Sequence, residues 1–182
     1  MRFLNFLPFL LLLASLPAMA QFGVYGEFST TNLHTANEPQ LYGPTLGGYY
    51  HKNFKHHLGL FSAGPDVRIS FLSGPGSGAN APMQSLTSVL VGPRLAFKIP
   101  VTPLHLYAEG LIGDGDSQLG EGASRNSSNR FESQFLGGVD LTLLPHVDWR
   151  VIELGDGELP ASGGSASLDT TTFSTGIVVR MP

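Results

Sequence analysis

Leu86–Ile112 reads LTSVLVGPRLAFKIPVTPLHLYAEGLI. Val89, Val91, Leu95 and Phe97 share one parity, while Gly92, Arg94 and Lys98 share the other. Successive side chains leave a strand on opposite sides, so this alternation predicts a strand with one apolar and one polar face. Leu104–Ile112 repeats the pattern, with Leu104, Leu106, Ala108 and Ile112 set against His105, Tyr107 and Glu109. Between the two lie only Ile99–Pro103, whose two prolines cannot serve a central ladder and so mark a tight turn. The stretch is a hairpin of two amphipathic strands, each roughly ten residues long, the span that a tilted strand needs to cross a bilayer.

Working outward, the same period predicts further strands over Phe22–Thr31, Thr45–Tyr50, His57–Phe71, Arg130–Leu143, Val147–Leu154 and Thr170–Met181. Gly64-Pro65 suggests a bulge or bend at which parity changes, and Ile152-Glu153 breaks the alternation of its strand. The connections alternate in length. Asn32–Pro44, Ser73–Gln84, Gly113–Asn129 and Gly155–Leu168 are long, polar and rich in turn formers, whereas His51–His56, Ile99–Pro103 and Leu144–His146 are short. Eight strands, with short connections at one end and long ones at the other, predict an all-β, eight-stranded antiparallel up-and-down transmembrane β-barrel. The short end is expected in the periplasm and the long end outside.

Composition supports strands over helices. Among the 182 residues are 23 glycines and 12 phenylalanines, only 13% are charged, and no cysteine is present to staple a small scaffold. A formal charge of −4 without clustered Lys and Arg predicts no nucleic-acid partner. At the start, Arg2, the apolar run Phe3–Leu16 and Ala18-Met19-Ala20 form the three parts of a secretory leader. The expected organisation is a cleavable signal peptide over 1–20 and a barrel domain over 21–182.

A soluble barrel turns its apolar parity inward, and a membrane barrel turns it toward lipid. The parity carrying Val89, Val91, Leu95, Phe97, Leu104, Leu106, Phe135, Val139, Leu141, Ile177 and Val179 bears no charge, as hydrocarbon requires. The opposite parity mixes small residues, Gly92, Ala96, Gly138 and Gly176, with Arg94, Glu109, Asp140 and Arg180. Small residues leave room in a narrow lumen, and opposite charges can pair there; Arg94 and Glu109 are the expected internal ion pair. Of Trp149, Tyr107 and Tyr50, only Trp149 is assigned the outward parity of an interface girdle.

The mature chain resembles the bacterial outer-membrane β-barrel domain family of the OmpA/OmpX-like eight-stranded kind. The resemblance is carried by Gly43–Tyr50 (GPTLGGYY), by Gly92–Leu95 leading into Leu106-Tyr107-Ala108-Glu109, and by Val147–Glu153 (VDWRVIE), and it covers most of Phe22–Met181. It implies the bacterial outer membrane as location, and outer-membrane lipid, lipopolysaccharide and the barrel-assembly machinery as partners. It also implies a surface partner reached through the long loops, and a monomer. Such barrels generally end in an aromatic residue read by the assembly machinery; this chain departs from that pattern with Val179-Arg180-Met181-Pro182.

No catalytic, cofactor or metal residues are expected. His51, His56 and His57 invite a metal reading, but adjacent strand residues point apart and no carboxylate or thiol sits at ligand spacing. Gly113-Asp114-Gly115-Asp116 and Gly155-Asp156-Gly157-Glu158 resemble fragments of calcium loops without the full spacing, and read as turns at strand ends, with weak divalent-ion or lipopolysaccharide bridging the functional alternative. A lipid A-modifying barrel enzyme would need a Ser, a His and an acid on one face. His105 and Glu109 share a parity but lie roughly 13 Å apart along a strand. A soluble lipocalin-like barrel is the other alternative, although Gly23-Val24-Tyr25 stands where its G-x-W is expected. The function expected is structural or surface-interacting, without catalysis.

Overall fold

The computed structural model describes residues 20–34, 40–53, 60–75, 84–118, 127–161 and 167–181. They form eight strands: β1 (Ala20–His34), β2 (Gln40–Asn53), β3 (Phe61–Gly74), β4 (Gln84–Lys98), β5 (Leu104–Gln118), β6 (Ser127–Leu144), β7 (Val147–Leu159) and β8 (Leu168–Met181). Each pairs antiparallel with its sequence neighbours, and β8 closes on β1. Closure leaves no edge, so the backbone groups of every strand have a ladder on both sides.

Except for β3, the strands are longer than their alternation alone predicts, and most of the extra length lies at the long-loop end; β3 begins at Phe61, and residues 57–59 of its expected span lie outside the described residues. Much of the polar stretches expected as loops is strand. Asp114 pairs with Val89 and Asp116 with Thr87, so Gly113–Asp116 lies inside β5 and is not a turn. Gly155–Glu158 lies inside β7 in the same way, with Asp156 opposite Thr171 and Glu158 opposite Asp169. At the other end, His51–Asn53 belong to β2 and not to a polar turn. These residues are weak strand formers, and pairing with neighbours on both sides of a closed barrel overrides that preference.

Gly64-Pro65 produces neither a bulge nor a parity change. β3 runs in one register against β4 from Phe61↔Phe97 to Gly74↔Gln84, with Pro65 opposite Pro93. One irregularity falls instead where the alternation broke, in β7, and a second lies beside the β6–β7 turn between Thr142 and Leu144. The register of β7 shifts against both neighbours around Val151-Ile152, from Arg150↔Gly176 to Glu153↔Ser174 on the β8 side and from Asp140↔Arg150 to Val139↔Ile152 on the β6 side. One extra residue therefore lets both Arg150 and Glu153 point inward, and both are fully buried.

The apolar parity faces out. Phe28, Leu46, Val67, Val89, Leu95, Ile112, Phe135, Leu154 and Ile177 are all exposed, Phe135 to 68%. Aromatic rings gather toward the two ends of this belt. Phe22, Phe61, Phe97 and Trp149 lie at the short-turn end, Phe61 and Phe97 with ring centroids 4.7 Å apart. Phe28, Tyr42, Phe71, Phe131 and Phe173 lie toward the long-loop end. Tyr50 also has outward parity, alternating with buried Tyr49 and His51, contrary to the expectation that Trp149 alone of the three does; Tyr107 is inward as expected. Phenylalanine carries most of the girdle, which a search for Trp and Tyr underestimates. The charge-free character holds for the belt, while Lys52, Asp114, Asp156, Glu158 and Asp169 are outward and exposed nearer the strand ends.

Candidate functional site

Side chains fill the lumen from the long-loop end through its centre. Toward the long-loop end, Leu33, Leu41, Leu72, Leu86, Leu159 and Leu168 pack as an apolar plug, with Leu90, Leu111 and Leu136 in a second cluster. A belt of hydroxyls lies nearby. Ser29 donates to Thr45 at 2.8 Å, Thr45 donates to Ser70 at 3.0 Å, and Ser29 bonds Ser174 at 2.9 Å.

Next comes an ionic layer centred on Arg68, Arg94 and Arg150, each no more than 2% exposed. Arg68 makes a two-pronged contact with Glu153, 2.7 Å on each prong, and lies 3.4 Å from Glu109. Arg94 pairs with Glu109, as expected, and with Asp140 at 3.0 Å. Arg150 pairs with Glu27, with Asp140 at 3.0 Å and with Glu153 at 3.2 Å. Removing such charges from water costs several kcal/mol each, and only near-complete pairing offsets it.

Three tyrosines interleave with the arginines. The Arg94 guanidinium stands 4.4 Å from the Tyr49 ring centre and 3.7 Å from that of Tyr107. Arg150 stands 4.4 Å from Tyr107 and 4.5 Å from Tyr25, and Arg68 stands 5.5 Å from Tyr25. The order Tyr49, Arg94, Tyr107, Arg150, Tyr25, Arg68 is a continuous cation–π series. Each ring lies over a cross-strand glycine: Tyr49 opposite Gly23, Tyr25 opposite Gly47, Tyr107 opposite Gly138. A Cβ would stand 2.3 Å from the Tyr25 ring at Gly47 and 2.4 Å from the Tyr107 ring at Gly138. Phenol hydroxyls complete the layer, Tyr25 donating to Asp66 at 2.7 Å and Tyr107 to Glu153 at 2.8 Å.

The short-turn end opens into a polar vestibule of about 170 Å³ lined by, among others, His51, Ser62, Lys98, His105, Asp148 and Arg180. Arg180 pairs with Asp148 at 2.7 Å. His105 lies 4.0 Å from Asp148 and does not join Glu109, which is engaged by Arg94 and Arg68. His51 is buried and its Nδ1 bonds Ser62 at 3.2 Å. His56 and His57 lie outside the described residues. Among the described residues, no three His, Cys, Asp or Glu side chains are grouped to hold a metal.

Parity reasoning named Arg94, Glu109, Asp140 and Arg180 as interior charges, and the lumen holds all of them. Glu27, Asp66, Arg68 and Arg150 lie on the polar parity of their strands, alternating with apolar neighbours in the sequence, and join these four in the lumen although they are not in the interior set expected from the sequence. Glu153 was out of reach, because its inward orientation depends on the bulge.

An ionic lumen inside a closed eight-stranded wall that is apolar outside defines a transmembrane β-barrel, the inverse of a soluble lipocalin-like barrel, which that alternative required. The fold is that of the OmpA/OmpX-like eight-stranded bacterial outer-membrane barrels. Neisserial surface protein A (NspA) shares it at 15% identity and a TM-score of 0.68, covering 87% of this chain and 96% of that one. Ail, the attachment invasion locus protein of Yersinia pestis, matches at 14% identity and a TM-score of 0.54, covering 89% of this chain and 97% of that one. Ail in complex with the heparin analogue sucrose octasulfate matches at 13% identity and 0.51, over 89% and 97%. No protein-family model matches the chain, and no curated protein does.

Proposed function

We propose that this chain is exported behind a leader cleaved before Gln21 and resides in the outer membrane with its short turns in the periplasm. There it serves as a monomeric structural or surface-interacting barrel without catalysis. The observation that carries the reading is the lumen: the charged groups of its central layer are locked in pairs under a leucine plug, so on the long-loop side the wall and the outer rim are what the protein offers to its surroundings. Lipid and lipopolysaccharide contact the belt, the assembly machinery inserts it, and any surface partner meets the long-loop end. Two neighbours are named as a surface protein and an attachment protein, which agrees with that use of the rim. The described part of this rim carries exposed Asp114, Asp156, Glu158 and Asp169, a charge that disfavours polyanions such as sucrose octasulfate.

Heat-modifiable migration on detergent gels, together with recovery in the outer-membrane fraction, tests location and fold. A stable monomer in water without detergent would refute the reading. Lipid A mass spectra from expressing cells test the absence of catalysis, and an altered acyl pattern would establish the enzyme instead.

A further inference from the structure

The vestibule at the short-turn end has an unequal hydrogen-bonding balance. Its carboxylates are already occupied. Asp140 accepts from Arg150 on one oxygen and from Arg94 on the other, each at 3.0 Å. Asp148 accepts from Arg180 at 2.8 Å on one oxygen and lies 2.7 Å from the same guanidinium on the other. What remains without a partner is nitrogen. His51 Nε2 and Arg94 Nε are buried and unbonded, on side chains that are 5% and 2% exposed. The exposed Lys98 and half-buried His105 stand on the same lining. When Ser62 donates to Nδ1 of His51, Nε2 carries the ring hydrogen and is a donor. A cavity whose carboxylates are paired, and beside which two buried nitrogens lack acceptors, is complementary to a ligand that supplies acceptors.

We propose that the vestibule binds a small oxyanion, a carboxylate or a phosphate-type group, through His51 Nε2–H and Arg94 Nε–H, with Lys98 adding attraction at the mouth. About 170 Å³ is room for one such group or for several waters. The polar lining excludes an apolar ligand. Asp140 and Asp148 do not repel the anion as free charges would, because each is neutralised by an arginine.

The test uses the mature chain refolded in detergent micelles, with heat-modifiable migration confirming the barrel before each titration. Imidazole resonances of His51 and His105 are followed against sodium phosphate and, separately, sodium acetate, with sodium chloride holding ionic strength constant. Saturable movement of the His51 ring with either anion is expected. Tighter phosphate assigns a phosphate-type ligand, and tighter acetate a carboxylate. His51→Leu should weaken binding about tenfold, the loss of one charge-assisted hydrogen bond, read on His105. Lys98→Gln, on an exposed residue, should weaken it severalfold and serves as the test if His51→Leu fails to fold. Non-saturating shifts with both anions, a ring hydrogen on Nδ1 in place of Nε2, or unchanged affinity in the folded variants would overturn the proposal. A barrel that binds neither anion leaves the outer-membrane reading intact, because the migration assay reads that separately.

Discussion

Arg94 touches two carboxylates and two rings, so what replaces it decides the outcome. Arg94→Leu leaves Glu109 and Asp140, both buried, each short of a partner. It should lower unfolding stability in detergent by about 3–5 kcal/mol, measured by urea titration of heat-modifiable migration. An unchanged midpoint would show that the pairs contribute little. Gly138→Val meets a different obstacle, since its side chain would collide with the Tyr107 ring; overpacking should cost about 1–3 kcal/mol, with Gly138→Val in a Tyr107→Ala background recovering part of the loss. At the Ile99–Pro103 turn, Val101 has φ of 65° and is fully exposed. A β-branched residue is strained there by about 1–2 kcal/mol. Val101→Asn should therefore raise the midpoint, and a lower one would mean the strain is absent.

Among the elements, β7 is the informative one. Its extra residue at Val151-Ile152 restores inward parity for Glu153, so deleting Val151 yields a regular strand in which Arg150 and Glu153 still face the lumen. Deleting Leu154, three residues on, instead turns Asp156 and Glu158 inward and Gly155 and Leu159 outward. The first deletion should preserve heat-modifiable folding and the second abolish it; equal loss in both would mean the bulge has a packing role beyond parity. The strand ends show why sequence boundaries fell short. Gly113–Asp116 and Gly155–Glu158 have loop composition, and nothing within either segment reveals that a neighbouring strand continues alongside it. Gly64-Pro65 is the opposite case, a local break signal absorbed without a register change because Pro65 and Pro93 face each other across one ladder.

At the scale of the whole barrel, the described residues pack leucines at one end of the lumen and ion pairs at its centre, and among them no water-filled path runs through. Planar-bilayer recordings of the folded protein should show no channel events, and discrete conductance steps would require the plug to move. Because the ion pairs are buried, added salt should barely shift the urea midpoint, whereas pairs at a surface would weaken as counterions screen them. Strand number, antiparallel order, the lipid-facing parity and the Arg94–Glu109 pair were determined by the sequence alone. Each is a consequence of period-two alternation, which is local and survives any tertiary arrangement. Only the tertiary structure decided where the strands end, that Glu153 points inward, and that arginines and tyrosines from separate strands alternate in one stack over glycines. Those depend on the stagger between neighbouring strands, which no single strand encodes, and the hairpin of Leu86–Ile112 shows its own two faces but not what meets Arg94 from across the lumen.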